Sequence, residues 1–98
     1  MLETQADIKQ LGLIAPIVGH VGDGNFHTSP LFNAADPKEH AAVRGFLERL
    51  AARAIRMDGT CTGEHGAGQG KFQYLKAELG AGLEVMRAIK RALDPDDI

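Results

Sequence analysis

His20 and His27 bracket the segment Val21-Gly22-Asp23-Gly24-Asn25-Phe26, and its Asp-Gly pair is a strong signal for a two-residue hairpin turn. With Asp23-Gly24 at the tip, Gly22 faces Asn25, Val21 faces Phe26 and His20 faces His27. Directly paired residues carry Cβ atoms ~4.5–5.5 Å apart on one sheet face, from which two imidazole nitrogens can converge on one ion at ~2.0–2.1 Å each. The same spacing also fits a polar cross-strand pair with no ion, the commoner fate of two histidines.

A two-histidine site usually takes a third protein ligand, and a carboxylate leaves positions open for water or substrate. Glu64 is the candidate, set in Gly63-Glu64-His65-Gly66-Ala67-Gly68, where small neighbours allow close approach. A solvent-exposed turn accounts for the same composition. In an extended stretch Glu64 and His65 point to opposite faces and could serve different partners. An imidazole with an ordinary pKa near ~6.5 suits removal of a hydroxyl proton as an alcohol is oxidised.

Other reactive residues read more simply. His40 is a surface histidine beside Lys38 and Glu39, Cys61 a small packing residue, and Arg87, Lys90 and Arg91 the wet face of a helix. Residues 63–71 lack the Gly-Lys-Ser/Thr ending of a phosphate loop, because Phe72 follows Lys71.

The elements that must position these side chains follow from patterning. Residues 3–11 form a short polar helix stopped by Gly12. Residues 14–21 and 26–32 are two strands around the turn. Asp36 as N-cap, Pro37 at the first helical position and Glu39 completing a capping box start a helix that runs to about Met57. Its stripe is Val43, Phe46, Leu47, Leu50, Ala54 and Met57, with Arg44, Glu48, Arg49, Arg53 and Arg56 mostly off it. Residues 60–62 read as a short strand entering the glycine-rich loop of 63–70. A last helix over 83–93 carries Leu83, Met86, Ile89 and Leu93 and stops at Asp94-Pro95. The fold class expected is α+β: a small antiparallel sheet with a β-hairpin, backed by two amphipathic helices.

With 98 residues, 44% hydrophobic and 24% charged, the chain has the profile of one globular domain with a modest core. A net charge of −2 with acids and bases interspersed gives no footprint for nucleic acid. Cys61 is the single cysteine, which excludes an internal disulfide and favours a reducing compartment. Residues 1–10 contain no apolar block, so neither a signal peptide nor a membrane span is expected there, and the expected location is cytoplasmic.

Three separated segments, residues 20–27, 59–68 and 86–95, resemble in matching order the C-terminal end of the FAD-linked oxidases. That family includes D-lactate dehydrogenases of the cytochrome-linked type, glycolate oxidases and D-2-hydroxyglutarate dehydrogenases. The resemblance implies that His20, His27 and Glu64 bind a divalent metal, that His65 takes the substrate hydroxyl proton, and that the Cα hydride passes to FAD. Asn25 would help to orient the loop. Zinc, iron and manganese all suit two histidines and a carboxylate.

On this reading residues 1–98 are a C-terminal fragment of the substrate- and metal-binding domain, acting on a 2-hydroxy acid and inactive alone. The family's FAD-binding domain, absent from these residues, would be its partner domain or subunit. Surface that normally packs on it invites a homo-oligomer. Two rivals share the residues: a self-sufficient metal-dependent hydrolase, and a non-catalytic metal-binding or assembly module.

Overall fold

The computed structural model describes residues 1–98 as four α-helices and a two-stranded antiparallel sheet, an α+β arrangement. Two compact units are present, Met1–Arg53 and Ala54–Ile98.

The first unit opens with α1, Leu2–Leu11, which ends where Gly12 enters the left-handed region at φ 64° and its N–H reaches the carbonyls of Ile8 and Lys9. Its sheet pairs β1, Ile17–Val18, with β2, His27–Thr28, and Ile14 bridges Leu31 in the same register. The strands are shorter than residues 14–21 and 26–32. Ser29 N–H donates to the Pro16 carbonyl at 3.1 Å, but Pro16 has no N–H to return the bond, and Pro30 removes another donor.

The long helix α2, Pro37–Arg56, starts as the sequence suggests, with Lys38 N–H donating to Asp36 Oδ1 at 2.9 Å. The return half of the capping box differs. Glu39 accepts the N–H of Asn33 at 2.6 Å, because the Asp36 N–H is already taken by the Asn33 carbonyl. Val43, Phe46 and Ala51 are buried, whereas Met57 lies beyond the helix and is 72% exposed. After Arg56 the chain reverses through Asp58 at φ 60°, and the Gly59 N–H caps the Ala54 carbonyl at 2.8 Å.

Arg53 departs most from expectation. Its side chain is only 14% exposed and its Nη2 donates to Asp7 Oδ2 at 2.8 Å, while Nη1 donates to the fully buried Thr4 hydroxyl at 3.2 Å. Glu3 Oε2 lies 2.6 Å from Arg53 Nε, close enough to pair although the N–H is not aligned on it, and Arg49 Nε stands 3.8 Å from Asp7. Glu3 and Asp7 are spaced i,i+4 on α1, and Arg49 and Arg53 repeat that spacing on α2, so α1 and α2 are joined by charge.

In the second unit residues 60–62 form no strand. A 3-10 turn at Phe72–Tyr74 and a short helix α3, Leu75–Leu79, appear where the sequence reading placed no element. The last helix, α4, is Gly82–Leu93 and begins one residue earlier than expected. Leu75 and Leu83 are buried, but Met86, Ile89 and Leu93 of the expected stripe remain exposed.

Two outcomes check this account. Phe46, 0% exposed, should cost about 3–5 kcal/mol when cut to alanine, read by denaturant unfolding. Hydrogen bonding to Arg53 holds the Asp7 carboxyl below its ordinary 3.8. Its stabilising effect is therefore present above the ordinary carboxylate pKa and lost as pH falls through the lowered folded value. Melting temperatures from pH 7 down to pH 2 should show this acid loss in the parent and a shallower one in Asp7→Asn.

Candidate functional site

His20, Asn25 and His27 belong to the first unit, and Glu64 and His65 to the second. The hairpin is built differently from the expected two-residue turn. Val18, not His20, opposes His27, a register displaced by two residues. Val21–Asp23 form a 3-10 turn in which the Asp23 N–H and the Asn25 N–H both donate to the His20 carbonyl, at 2.9 and 3.2 Å. Asn25 therefore closes the loop against His20 through the backbone.

The cause sits at Gly19, which has φ 151°. A Cβ there would stand 2.6 Å from Phe26 Cα and 2.7 Å from the Asn25 carbonyl oxygen. Backbones can meet this closely only at glycine, and that contact fixes where the loop begins. A one-residue slip would have turned every side chain over; a two-residue slip keeps the faces and changes only the partners. His20 consequently lies outside the strand, exposed, with φ −90° and ψ 67°, while His27 is half-buried in β2. The face-to-face histidine pair is not formed.

Glu64 and His65 occupy a turn rather than an extended stretch, and the turn removes the alternation that would send them to opposite faces. His65 Nε2 lies 3.5 Å from Glu64 Oε1, with both side chains largely exposed. The Glu64 carboxylate, with imidazoles such as those of His20 and His27, is the donor type suited to a divalent transition metal. Two residues earlier, the Thr62 hydroxyl is buried without a hydrogen-bond partner, so polar capacity is left over beside this turn. These residues fit a metal.

The segment leading to the turn is held from α3. Cys61 N–H donates to Glu78 Oε2 at 3.0 Å, and Thr62 N–H donates to Thr60 Oγ1 at 3.3 Å, in place of a strand ladder. Hydrogen bonding from Cys61 and then Thr60 lowers the Glu78 carboxyl, while burial and then the nearby Glu78 push the Cys61 thiol up to about 11. Cys61 is thus an inert packing thiol, as its sequence context suggests. His40 is an exposed residue whose ring meets Phe32 edge-on at 5.6 Å. A depression of about 320 Å³ on the first unit, lined by Asp7, Gln10, Leu11 and Arg49, contains none of the expected site residues.

Glu78 and Arg53 are the residues that sequence reading overlooked. The paired acids of α1 and paired arginines of α2 were a readable signal for Arg53; nothing local marked Glu78, whose partner is seventeen residues away.

The family described as FAD linked oxidases, C-terminal domain, matches residues 2–98. A protein of Danio rerio named probable D-lactate dehydrogenase, mitochondrial, is 48% identical over 99 residues, covering 100% of this chain and 20% of its own length. D-lactate dehydrogenase [cytochrome] 1, mitochondrial, of Saccharomyces cerevisiae is 47% identical over 97 residues, 98% of this chain and 16% of that protein. Glycolate oxidase subunit GlcD of Bacillus subtilis is 38% identical over 81 residues, 82% of this chain and 17% of that one. The chain thus spans about a fifth or less of the length of these relatives.

The close approach at Gly19 can be tested directly. Gly19→Ala should destabilise by more than about 1 kcal/mol and shift the amide resonances of Asn25 and Phe26, which a heteronuclear NMR spectrum would show.

Proposed function

The chain belongs to the FAD linked oxidases as their C-terminal domain, and on that premise we propose that it is the C-terminal catalytic segment of an FAD-dependent D-2-hydroxy-acid dehydrogenase of the D-lactate or glycolate type. Its reaction is oxidation of a 2-hydroxy acid to the 2-oxo acid. The relatives named for lactate and for glycolate share the 2-hydroxy carboxylate group, and this supports the substrate class. Residues 1–98 are the C-terminal part of the substrate- and metal-binding domain. FAD is held mainly by another domain or subunit, and these 98 residues alone do not turn over.

When bound, FAD supplies the hydride acceptor and a divalent cation, whether zinc, iron or manganese, supplies Lewis acidity. His20, His27 and Glu64 are the proposed ligands, and the His65 imidazole receives the hydroxyl proton. The observation that carries this reading is the 3.5 Å separation of His65 Nε2 and Glu64 Oε1 in one turn. A hydroxyl brought to the carboxylate side of that turn is within reach of the ring nitrogen, as general-base catalysis requires. Asn25 is proposed to help orient the loop.

No helix is long and apolar enough to cross a membrane. With Cys61 as the single cysteine no internal disulfide can form, and we propose a cytoplasmic location; the fish and yeast relatives are named mitochondrial.

Metal content per chain, measured on the intact polypeptide, tests the site. One metal in the parent, lost in His20→Ala, His27→Ala and Glu64→Ala, is the expected result. His65→Ala should keep the metal and, assayed together with the FAD-binding domain, lose about 10²–10⁴-fold in kcat with D-lactate or glycolate. Loss of metal in His65→Ala with retention in His20→Ala would exchange the roles of the two histidines. Hydrolytic turnover without flavin, abolished by Glu64→Ala, would replace the dehydrogenase with a metal hydrolase.

A further inference from the structure

We propose that Glu78 is a positioning residue for the Glu64–His65 turn: presented by α3, its carboxylate holds the backbone at Cys61 and so fixes the point from which the glycine-rich loop departs. This rests on the function proposed above.

The segment before the turn has no ladder to hold it, yet Cys61 is buried and its N–H must be satisfied. Glu78 Oε2 accepts it at 3.0 Å, a bond to an ionised acceptor and so roughly twice as strong as a neutral one. The Thr60 hydroxyl is the carboxylate's next partner, and Thr60 Oγ1 in turn accepts the Thr62 N–H at 3.3 Å. One side chain thereby organises three consecutive residues. Only Thr62 and Gly63 separate Cys61 from Glu64, a span of at most about 10 Å even when fully extended.

The support is itself anchored. Leu75 is buried at the start of α3, and Phe72, on the 3-10 turn that precedes it, lies under the Arg87 guanidinium of α4 at 5.9 Å. Glu78 is half-buried with Oε2 on the Cys61 N–H, so it acts on the segment that leads to the turn.

The test compares parent, Glu78→Ala, Glu78→Gln and, as the site reference, Glu64→Ala, all in the intact polypeptide. Three quantities are read: amide exchange at Cys61, the dissociation constant for manganese(II) added alone, and the NMR linewidth of the His65 imidazole. Glu78→Ala should accelerate Cys61 exchange, broaden the His65 signal and raise the manganese dissociation constant by about 10–100-fold, the usual effect of losing a residue that orients a ligand. Glu78→Gln keeps an acceptor oxygen and should restore most of each. If Glu78→Ala does not fold, Glu78→Asp, which withdraws the carboxylate by one methylene, should give the same pattern at smaller amplitude.

Accelerated exchange at Cys61 with an unchanged His65 signal and unchanged manganese affinity would make Glu78 purely structural and overturn the proposal. Unchanged exchange would overturn it outright. A parent that binds no manganese, or a Glu64→Ala variant that binds it normally, would instead remove the metal reading, and Cys61 exchange with the His65 linewidth would still decide the role of Glu78.

Discussion

The first unit depends on a buried arginine because it has little else to bury. Within Met1–Arg53 only Val43, Phe46 and Ala51 are buried apolar residues, and the fully buried position on α1 is Thr4. Short chains bury a small fraction of their surface and leave little hydrophobic margin. Arg53 supplies direction in place of area, since its planar fork can address a hydroxyl and a carboxylate at once. Such a group is expensive to desolvate, so its partners must stay charged and in place; removing one leaves a cost that packing cannot recover. The orientation of α1 against α2 is thus tied to the ionisation of Asp7.

That constraint explains which parts of the fold could be read from sequence. Helices α1, α2 and α4 were legible to within a residue or two because their limits are set locally: Gly12 as a left-handed stop, Asp36-Pro37 as a start, Asp94-Pro95 as an end. The hairpin was legible as a hairpin but not in register. Asp-Gly is a good turn signal when the flanking residues can pair freely, but the close contact of Gly19 with Phe26 and the missing donors at Pro16 and Pro30 favour a longer loop. Those are distances between backbones, and no dipeptide preference contains them.

The candidate site divides along the same line. His20, His27, Glu64 and His65 were found from residue type, spacing and family resemblance, but the closeness of Glu64 to His65 was not, because an extended stretch would send them to opposite faces and the chain turns there instead. The expected strand at residues 60–62 failed for a different reason. β-Prone residues form a strand only beside a partner strand, and here a single carboxylate takes the place of that partner. Helix α3 was invisible because five residues between two glycine-bearing segments carry too little periodicity to register as a helix, though they suffice to aim one side chain.

A glycine-rich loop that carries chemistry faces opposing demands. Glycine allows the sharp turn that brings a carboxylate and an imidazole together, and it also gives the unfolded and alternative states the most freedom. A site that must hold its groups within about half an ångström cannot rely on such a loop alone. Here the loop is secured at both ends: Cys61 is tied to Glu78 before it, and the Lys71 N–H closes on the Ala67 carbonyl at 3.2 Å as the chain enters the Phe72–Tyr74 turn. Between those ties Glu64 and His65 keep the exposure that a ligand arriving from solvent requires. Rigidity is therefore borrowed from α3 and α4, and the residues that do chemistry need not supply it themselves.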